Sequence, residues 1–222
     1  MSKNILKEIQ ANLLIYDKPS IYLEKIKPSL KNTKLEPLIY LESIEQNKKY
    51  HPEGNVWNHV KEVIDIAAKI KEFANDKKTF MLGALLHDLG KGPTTKLNKK
   101  GKLTSYNHDV EGEKIASKIL TFYDYKNDEK ERILNLVKYH MHHLYIIKNL
   151  PFARTSELIK NVDLNDMILI FVSDRLGRGQ SKREEKLEEI KDILQVIKIL
   201  EENYSLDLNK IREKIEKIKK II

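Results

Sequence analysis

The chain has 222 residues, of which 41% are hydrophobic and 33% charged, and 41 Lys and Arg outnumber 33 Asp and Glu to give a net charge of +8. Its length and apolar content suffice for one sizeable core. The absence of cysteine excludes disulfides and thiolate metal sites and is typical of a reducing compartment. The start MSKNILKEIQ lacks the apolar core of a signal peptide, and the apolar run MILIFV at 167–172 is too short to cross a membrane. We therefore expect a cytoplasmic protein without a membrane partner.

Three regions follow along the chain. Residues 1–50 contain short amphipathic segments interrupted by prolines and are predicted to form a helical extension. Residues 51–180 contain all eight glycines and are predicted to form the core of the protein. Residues 181–222 are predicted to form two helices, interrupted near NYSLDLN, that pack on that core; a coiled-coil or dimer contact is the alternative.

The central region shows helical periodicity and no convincing two-residue alternation, so the predicted fold class is all-α. Apolar residues three or four apart begin the predicted helices at Val56, Ile115, Ile133 and Met167. The polar segment KLNKKGKLTSYN at 96–107 is predicted to be a loop or a small hairpin that turns at Lys100–Gly101.

Six histidines and aspartates lie on the predicted buried faces of five segments. His59 shares a helix face with Val56 and Val63, whereas the pair His87–Asp88 ends the apolar run FMLGALL. The other three occupy similar positions: His108, His140 and Asp174. Any one of them is readily explained as a hydrogen-bonded core residue or a helix cap. Six such groups facing inward are best explained by a shared cation, since each is costly to bury alone. Imidazole and carboxylate ligands suit Fe, Mn, Co, Ni or Zn, with Mg at a more exposed position.

Four segments in order resemble the HD superfamily of metal-dependent phosphohydrolases, and in particular the HD domain of bacterial tRNA nucleotidyltransferases. The segments are HPEGNVWNHV (51–60), LLHDLGKGPTT (85–95), NHDVEGEKIA (107–116) and DRLGR (174–178). The resemblance covers about residues 45–180 and implies an HD-domain helical bundle. No Gly-rich nucleotidyltransferase motif with paired acidic residues is found in the sequence, so we expect a free-standing HD protein.

The resemblance also implies roles for individual residues. One metal would be held by His59, His87, Asp88 and Asp174, and a second by His108 and His140, with Asp88 as the bridge. His143, in the run YHMHH, is an alternative to His140 or a supporting partner, and His142 is expected at the surface. Two metals would generate a hydroxide that attacks the phosphorus atom.

Three basic residues are candidates for binding the phosphate. Lys91 lies one helical turn beyond the His-Asp pair, and Arg178 matches the arginine that closes the last motif. Arg175 is either a phosphate ligand or a salt-bridge partner of Asp174. In the segment HPEG, His51 and Glu53 either orient ligands, protonate the leaving group or cap the following helix.

The sequence leaves three functions open. The first is hydrolysis of nucleotide or RNA-end phosphate esters, namely 2′,3′-cyclic phosphodiesters or phosphomonoesters, with a phosphorylated small molecule or nucleotide as substrate and RNA as a further candidate. The second is oxidation of a small polyol or phosphonate by a di-iron centre with the same six ligands. The third is a module that binds a nucleotide or RNA without turnover. The positive net charge is compatible with a polyanionic partner, but it is also what lysines on solvated helix faces produce.

Overall fold

Helices make up nearly all of the regular structure in residues 4–179 and 182–222, the residues that the computed structural model describes. The N-terminal region contains α1 (Ile5–Ile15), α2 (Pro19–Ile26) and α3 (Glu36–Tyr40), and the C-terminal region contains α12 (Arg183–Tyr204) and α13 (Asn209–Ile221). Between them lie α4 (Val56–Ile70), α5 (Lys77–Leu86), α6 (Lys91–Thr94), α7 (His108–Phe122), α8 (Asn127–Tyr139), α9 (His142–Ile147), α10 (Thr155–Asn161) and α11 (Leu164–Leu176). The predicted all-α class is confirmed.

The prolines of the N-terminal region begin helices rather than end them. Pro19 is the first residue of α2, Pro37 is the second residue of α3, and Pro28 lies in a 3₁₀ turn at Lys27–Leu30. Proline is favoured there because the first turn of a helix leaves its N–H groups unpaired in any case. Further 3₁₀ turns at Leu41–Ser43 and Lys71–Phe73 follow α3 and α4.

Side-chain caps lie at the start of three central helices, α4, α5 and α11. The Asn55 side chain accepts the backbone N–H of Asn58 at the start of α4, at 2.9 Å. Asp76 caps α5 and Asp163 caps α11 in the same way. Capping of α4 is one alternative for the segment HPEG. In the structure the cap is Asn55, the residue that follows this segment.

The predicted hairpin in the polar segment is present. Strand β1 (Lys96–Leu97) pairs antiparallel with β2 (Leu103–Thr104), with Lys96 opposite Thr104. Gly101 has φ +67° in the turn, a backbone conformation that glycine adopts without strain.

A single hydrophobic cluster joins the three regions. Helix α4 packs against α5 and α11, α5 against α8, and α7 against α8. Helix α1 packs on α5, and α12 packs on α9 and α11, so the C-terminal helices lie on the body of the chain itself. Ser205, with φ 52°, ends α12 within the predicted interruption. The predicted region boundary at residues 180 and 181 lies outside the described residues.

In the described part of the chain, no helix combines the length and the apolar character needed to cross a membrane.

Candidate metal centre

The six predicted ligands meet at one place in the core. His59 lies in α4 and Asp174 in the last turn of α11, while His108 is the first residue of α7. His87 and Asp88 follow the end of α5, and His140 follows the end of α8. None of the six is more than 6% exposed. The structure thus brings together all six residues that the sequence predicts to be metal ligands.

Asp88 lies between two groups of imidazoles. Its Oδ1 is 3.5 Å from His108 Nε2 and 3.7 Å from His140 Nε2. Its Oδ2 is 3.3 Å from His87 Nε2 and 3.6 Å from His59 Nε2. One carboxylate therefore faces both groups, as expected for a ligand shared by two ions.

Asp174 completes the group around His59. Its Oδ1 lies 3.0 Å from His59 Nε2, and its Oδ2 accepts a hydrogen bond of 2.8 Å from Arg178. Three sets of donor atoms have the mutual spacing of metal ligands: His59–His87–Asp88, Asp88–His108–His140 and His51–Glu53–His59.

The imidazole rings are oriented by the backbone. Nδ1 of each of four histidines lies 2.6–2.9 Å from a carbonyl oxygen, with the pairs His59–Gly177, His87–Ala84, His108–Ser105 and His140–Val137. A neutral imidazole that donates from Nδ1 has a lone pair on Nε2. In the neutral rings of His87, His108 and His140 the Nε2 lone pairs are therefore directed toward Asp88, whereas His59 Nε2 lies 3.0 Å from Asp174 Oδ1.

This donor set fits divalent metal ions. His108 Nε2 and His140 Nε2 are 3.0 Å apart, so two lone pairs face each other in a buried space. Among the described residues, His87 Nε2 is buried without a hydrogen-bond partner. Buried acceptors without donors are unfavourable, and a cation compensates several of them at once. Nitrogen and oxygen donors without sulfur suit first-row divalent metals.

The electrostatics of the protein residues support the same conclusion. Burial alone would raise the pKa of Asp88, but the Lys91 ammonium and the His87 imidazole outweigh it and hold that pKa well below its usual range. Asp174 behaves in the same way next to Arg178 and His59, so its pKa also lies well below its usual range. Burial lowers the pKa of His108 to about 3, a value that keeps the imidazole neutral at physiological pH. Anionic carboxylates and neutral imidazoles are the forms that bind metals. His59 differs, because hydrogen bonds to Asp174 and Glu53 outweigh burial and raise its pKa to about 9, so it must lose a proton to bind a metal.

Comparison with known proteins agrees with the geometry. Residues 56–202 match the model of the HD domain family. The chain belongs to this family. HD domains bind divalent metals and form a superfamily of metal-dependent phosphohydrolases. The match extends past the predicted core and includes most of α12.

Two curated relatives are similar to this HD domain protein. They are the multifunctional CCA proteins of Actinobacillus pleuropneumoniae serotype 5b (strain L20) and serotype 7 (strain AP76), each 30% identical over 128 residues. The aligned region is 57% of this chain and 30% of each relative. The chain therefore spans less than a third of the length of these relatives.

The histidines of YHMHH have three different environments in this HD domain. His140 lies in the group with Asp88 and His108, and His143 Nε2 lies 3.9 Å from Asp174 Oδ2 on the other side. His143 donates from Nδ1 toward the His140 carbonyl at 3.0 Å, which supports the position of the His140 backbone. The expectation that His142 is a surface residue is wrong, because its ring is 1% exposed and packs between Tyr139 and Tyr145.

The two arginines of DRLGR have separate partners. Arg178 lies one turn after Asp174 and forms the 2.8 Å ion pair with it, so it reaches the centre. Arg175 instead forms ion pairs with Glu189 and Asp192 of α12. The predicted salt bridge between Arg175 and Asp174 is absent from these contacts, and Asp174 pairs with Arg178 instead. Arg175 directly follows Asp174 on α11, and successive residues on a helix point about 100° apart. Arg175 therefore holds α12 against α11.

Lys91 is buried at the centre and has two partners. It is 8% exposed, and its Nζ lies 2.8 Å from Asp88 Oδ2 and 2.8 Å from Gln46 Oε1. Gln46 was not among the sequence candidates. Its segment has no helical periodicity and lies 45 residues from Lys91 in the chain, so only the folded structure reveals the contact.

Glu53 supports the ligand His59 from the segment before α4. Its Oε1 lies 2.9 Å from His59 Nδ1 and 2.8 Å from His51 Nδ1, and its side chain is fully buried. Of the alternatives for HPEG, the geometry favours orientation of a ligand. A carboxylate behind an imidazole fixes the ring and increases its basicity.

Glycines allow the backbone approaches that form the centre. A Cβ at Gly90 would lie 1.9 Å from the carbonyl oxygen of His108 and 2.5 Å from the nitrogen of Gly112. A Cβ at Gly177 would lie 2.7 Å from the nitrogen of Val63. Only glycine lets α7 approach the residues after His87–Asp88, and α11 approach α4, at these distances.

Proposed function

We propose that this HD domain protein hydrolyses phosphate esters of nucleotides or RNA ends, with 2′,3′-cyclic phosphodiesters and phosphomonoesters as substrates. The observation that supports this proposal is the position of two cations, the buried Lys91 and the partly buried Arg178, on the carboxylates of the candidate metal centre. Each lies 2.8 Å from a carboxylate oxygen, Lys91 from Asp88 and Arg178 from Asp174. A centre with a cation on each side is suited to a substrate that carries several negative oxygens.

The residues divide into two ligand sets. His59, His87, Asp88 and Asp174 would hold one ion, and Asp88, His108 and His140 would hold the second. When bound, divalent ions supply Lewis acidity, which polarises phosphoryl oxygens and lowers the pKa of water. The backbone carbonyls behind the histidines keep the Nε2 atoms directed at the ions.

The two cations act on the substrate rather than on the ions. The Lys91 ammonium, with three donor hydrogens, is close enough to Asp88 to contact a phosphoryl oxygen bound there. The Arg178 guanidinium can use the N–H groups that Asp174 leaves free, and its Nε is buried without a partner in the described ranges. Both are poorly solvated, so their attraction for charge that develops on the phosphoryl group is stronger than in water.

Similarity to multifunctional CCA proteins and the net charge of +8 support a nucleotide or RNA-end substrate in preference to an uncharged one. We place the protein in the cytoplasm, in agreement with a sequence that has no cysteine.

A panel of metals and substrates tests the proposal. The purified protein is stripped of metal, reloaded with Mg, Mn, Fe(II), Co, Ni or Zn, and assayed with cyclic phosphodiesters, phosphomonoesters and linear diesters, both in air and without oxygen. We expect oxygen-independent release of phosphomonoester or phosphate with at least one metal. Turnover that requires oxygen and Fe(II) would support the di-iron oxygenase instead. Tight RNA binding without turnover by any metal form would support the binding module.

A further inference from the structure

Gln46 connects the N-terminal region to the candidate metal centre. It precedes the family match at 56–202 and is 7% exposed. Its Oε1 accepts a 2.8 Å hydrogen bond from Lys91 Nζ, which also lies 2.8 Å from Asp88 Oδ2. A side chain outside the matched HD domain therefore holds the Lys91 ammonium together with Asp88.

The chemistry of this contact determines the orientation of the Gln46 amide. A lysine ammonium only donates hydrogen bonds, so the amide must present its oxygen to Lys91. Its nitrogen then has two N–H donors that Lys91 cannot satisfy. In the described part of the chain, Gln46 Nε2 is buried and has no hydrogen-bond partner. A buried donor without an acceptor is unfavourable unless a ligand supplies one.

The backbone around Gln46 holds the amide in place. The Val56 N–H donates to the Ile44 carbonyl at 2.9 Å, and Glu45 pairs with Asn55 in an isolated β-bridge. The segment closed by these bonds also carries Glu53, whose Oε1 lies 2.9 Å from Nδ1 of the ligand His59. The amide is thus held by the same loop that orients a ligand histidine.

We propose that Gln46 is a substrate-binding residue of this centre: its Nε2 donates a hydrogen bond to a nonbridging oxygen of the phosphoryl group, while its Oε1 positions Lys91. This inference rests on the proposed phosphohydrolase function. Deprotonated phosphoryl oxygens only accept hydrogen bonds. Gln46 Nε2 belongs to the amide whose Oε1 contacts Lys91 Nζ, so the two side chains can present donors to one anionic group. A phosphate ester is the ligand that satisfies both.

Two variants of Gln46 separate its two contacts. Gln46→Glu keeps an oxygen for Lys91 and replaces the N–H donor with a negative oxygen that repels phosphate. Gln46→Met has a similar length and removes both contacts. Gln195 is exposed on α12, so Gln195→Glu is the matched control for the change in charge. Metal content and thermal stability are measured for every variant. If Gln46→Met does not fold, the nearly isosteric Gln46→Glu decides the question.

The measurements are KM and kcat for the best phosphate ester, and the affinity of the metal-loaded protein for inorganic phosphate by titration calorimetry. We expect Gln46→Glu to raise KM and weaken phosphate binding about tenfold or more, with kcat and metal content nearly unchanged. We expect Gln46→Met to raise KM similarly and also to lower kcat, because Lys91 loses an anchor.

Equal phosphate affinity in wild-type and Gln46→Glu protein would overturn the inference. A wild-type protein that binds phosphate through Gln46 but hydrolyses no ester would contradict the proposed function and leave the Gln46 site supported. If the wild-type protein hydrolyses an ester and the KM of Gln46→Glu is unchanged, the proposed function would be supported and the role of Gln46 contradicted.

Discussion

His108 Nε2 faces His140 Nε2 at 3.0 Å, and the Nδ1 atom of each ring is hydrogen-bonded to a backbone carbonyl. In their neutral forms both rings therefore direct lone pairs at one another within the core. A proton between them is opposed by burial, which lowers the pKa of both imidazoles. A metal ion beside Asp88 relieves the repulsion without requiring either ring to be charged.

The first prediction concerns the stability that the metal adds. Metal present at about 100 times its Kd stabilises the fold by about 2.7 kcal/mol, which corresponds to a rise in Tm of roughly 5–10 °C for a chain of this size. His108→Gln places an amide N–H opposite His140 Nε2, so the metal-free variant should melt within a few degrees of the metal-free wild type. Its gain from metal should fall to about half the wild-type gain, since the ligand set that contains His59 is retained, as measured by differential scanning fluorimetry with and without chelator. A gain equal to that of the wild type would exclude His108 as a ligand.

The second prediction concerns Asp88, whose two oxygens face the two groups of histidines. Asp88→Asn keeps the shape of the side chain and removes its charge, so both ions lose a ligand and metal per chain should fall toward zero. Hydrolysis should fall by a factor of at least about 10³, as for removal of a central electrostatic group. Asp65→Asn is the matched control, since Asp65 contacts Ser20 outside the centre. Elemental analysis that finds normal metal in Asp88→Asn would contradict the proposed site.

Four of the six ligands are predicted because they lie at a helical spacing from apolar residues, and His87–Asp88 because the pair ends an apolar run. Asp174 lies four residues after Ile170, so a helix that buries Ile170 also directs Asp174 inward. Arg178 lies one further turn along the same direction and reaches the centre, whereas Arg175 is rotated away to α12. Periodicity thus accounts for residues on helices, including the direction of Arg175, whereas Arg178 lies two residues beyond the end of α11 at Leu176.

Helical periodicity does not predict the contacts that loops make. Gln46 lies outside regular structure, and its position depends on the pairing of Glu45 with Asn55, which no periodicity predicts. Helical spacing puts His140 and His143 on roughly one face and His142 on another, which predicts that His142 is exposed. In the structure α8 ends at Tyr139 and α9 begins at His142, so the chain turns and buries the ring against Tyr139. Periodicity cannot be extended across a helix break.

The third prediction concerns pH. In the metal-free protein, burial opposes protonation of His59, but hydrogen bonds to Asp174 and Glu53 outweigh it and raise its pKa to about 9. His59 is then protonated below pH 9 and must release a proton to bind metal. Metal affinity should therefore rise about tenfold per pH unit between pH 7 and 9 and level off above pH 9.

The same shift makes a prediction for the metal-free fold. Because the folded-state pKa of His59 is raised, its contribution to stability is fully present below the unfolded value of about 6.5 and is lost as the pH rises through 9. Calorimetry in buffers of different ionisation enthalpy should detect release of about one proton per chain at pH 7.5, from the ligand set that contains His59. Metal affinity that is independent of pH over this range would contradict protonation of His59.

The fourth prediction concerns Lys91. Lys91→Met keeps the apolar stem and removes the ammonium, so kcat/KM for a phosphate ester should fall about 10²-fold. The metal ligands are retained, so metal content should stay close to the wild-type value. Lys114→Met, at an exposed lysine paired with Glu111, is the control and should have wild-type rates. Loss of metal in parallel with activity would instead assign Lys91 a structural role.

The fifth prediction tests the close approach that places His108. Gly90 has φ −69°, a conformation open to any residue, so an effect of Gly90→Ala must come from its Cβ. That atom would lie 1.9 Å from the His108 carbonyl oxygen, and α7 would have to move with its first residue, His108. We expect a loss of about 1–3 kcal/mol or more in the free energy of unfolding and loss of the ion held by Asp88, His108 and His140.

Gly92→Ala is the matched control for this change in the same motif. Its Cβ would meet Tyr40 Cδ1 at 3.4 Å, an ordinary contact, and alanine is favoured over glycine within α6. Stability from urea titration and metal per chain should be nearly unchanged in Gly92→Ala and both reduced in Gly90→Ala. If Gly90→Ala retained full metal content, the approach of α7 to the residues after His87–Asp88 would not be needed to place His108. The HD pair would then tolerate a wider spacing to α7 than the packing indicates.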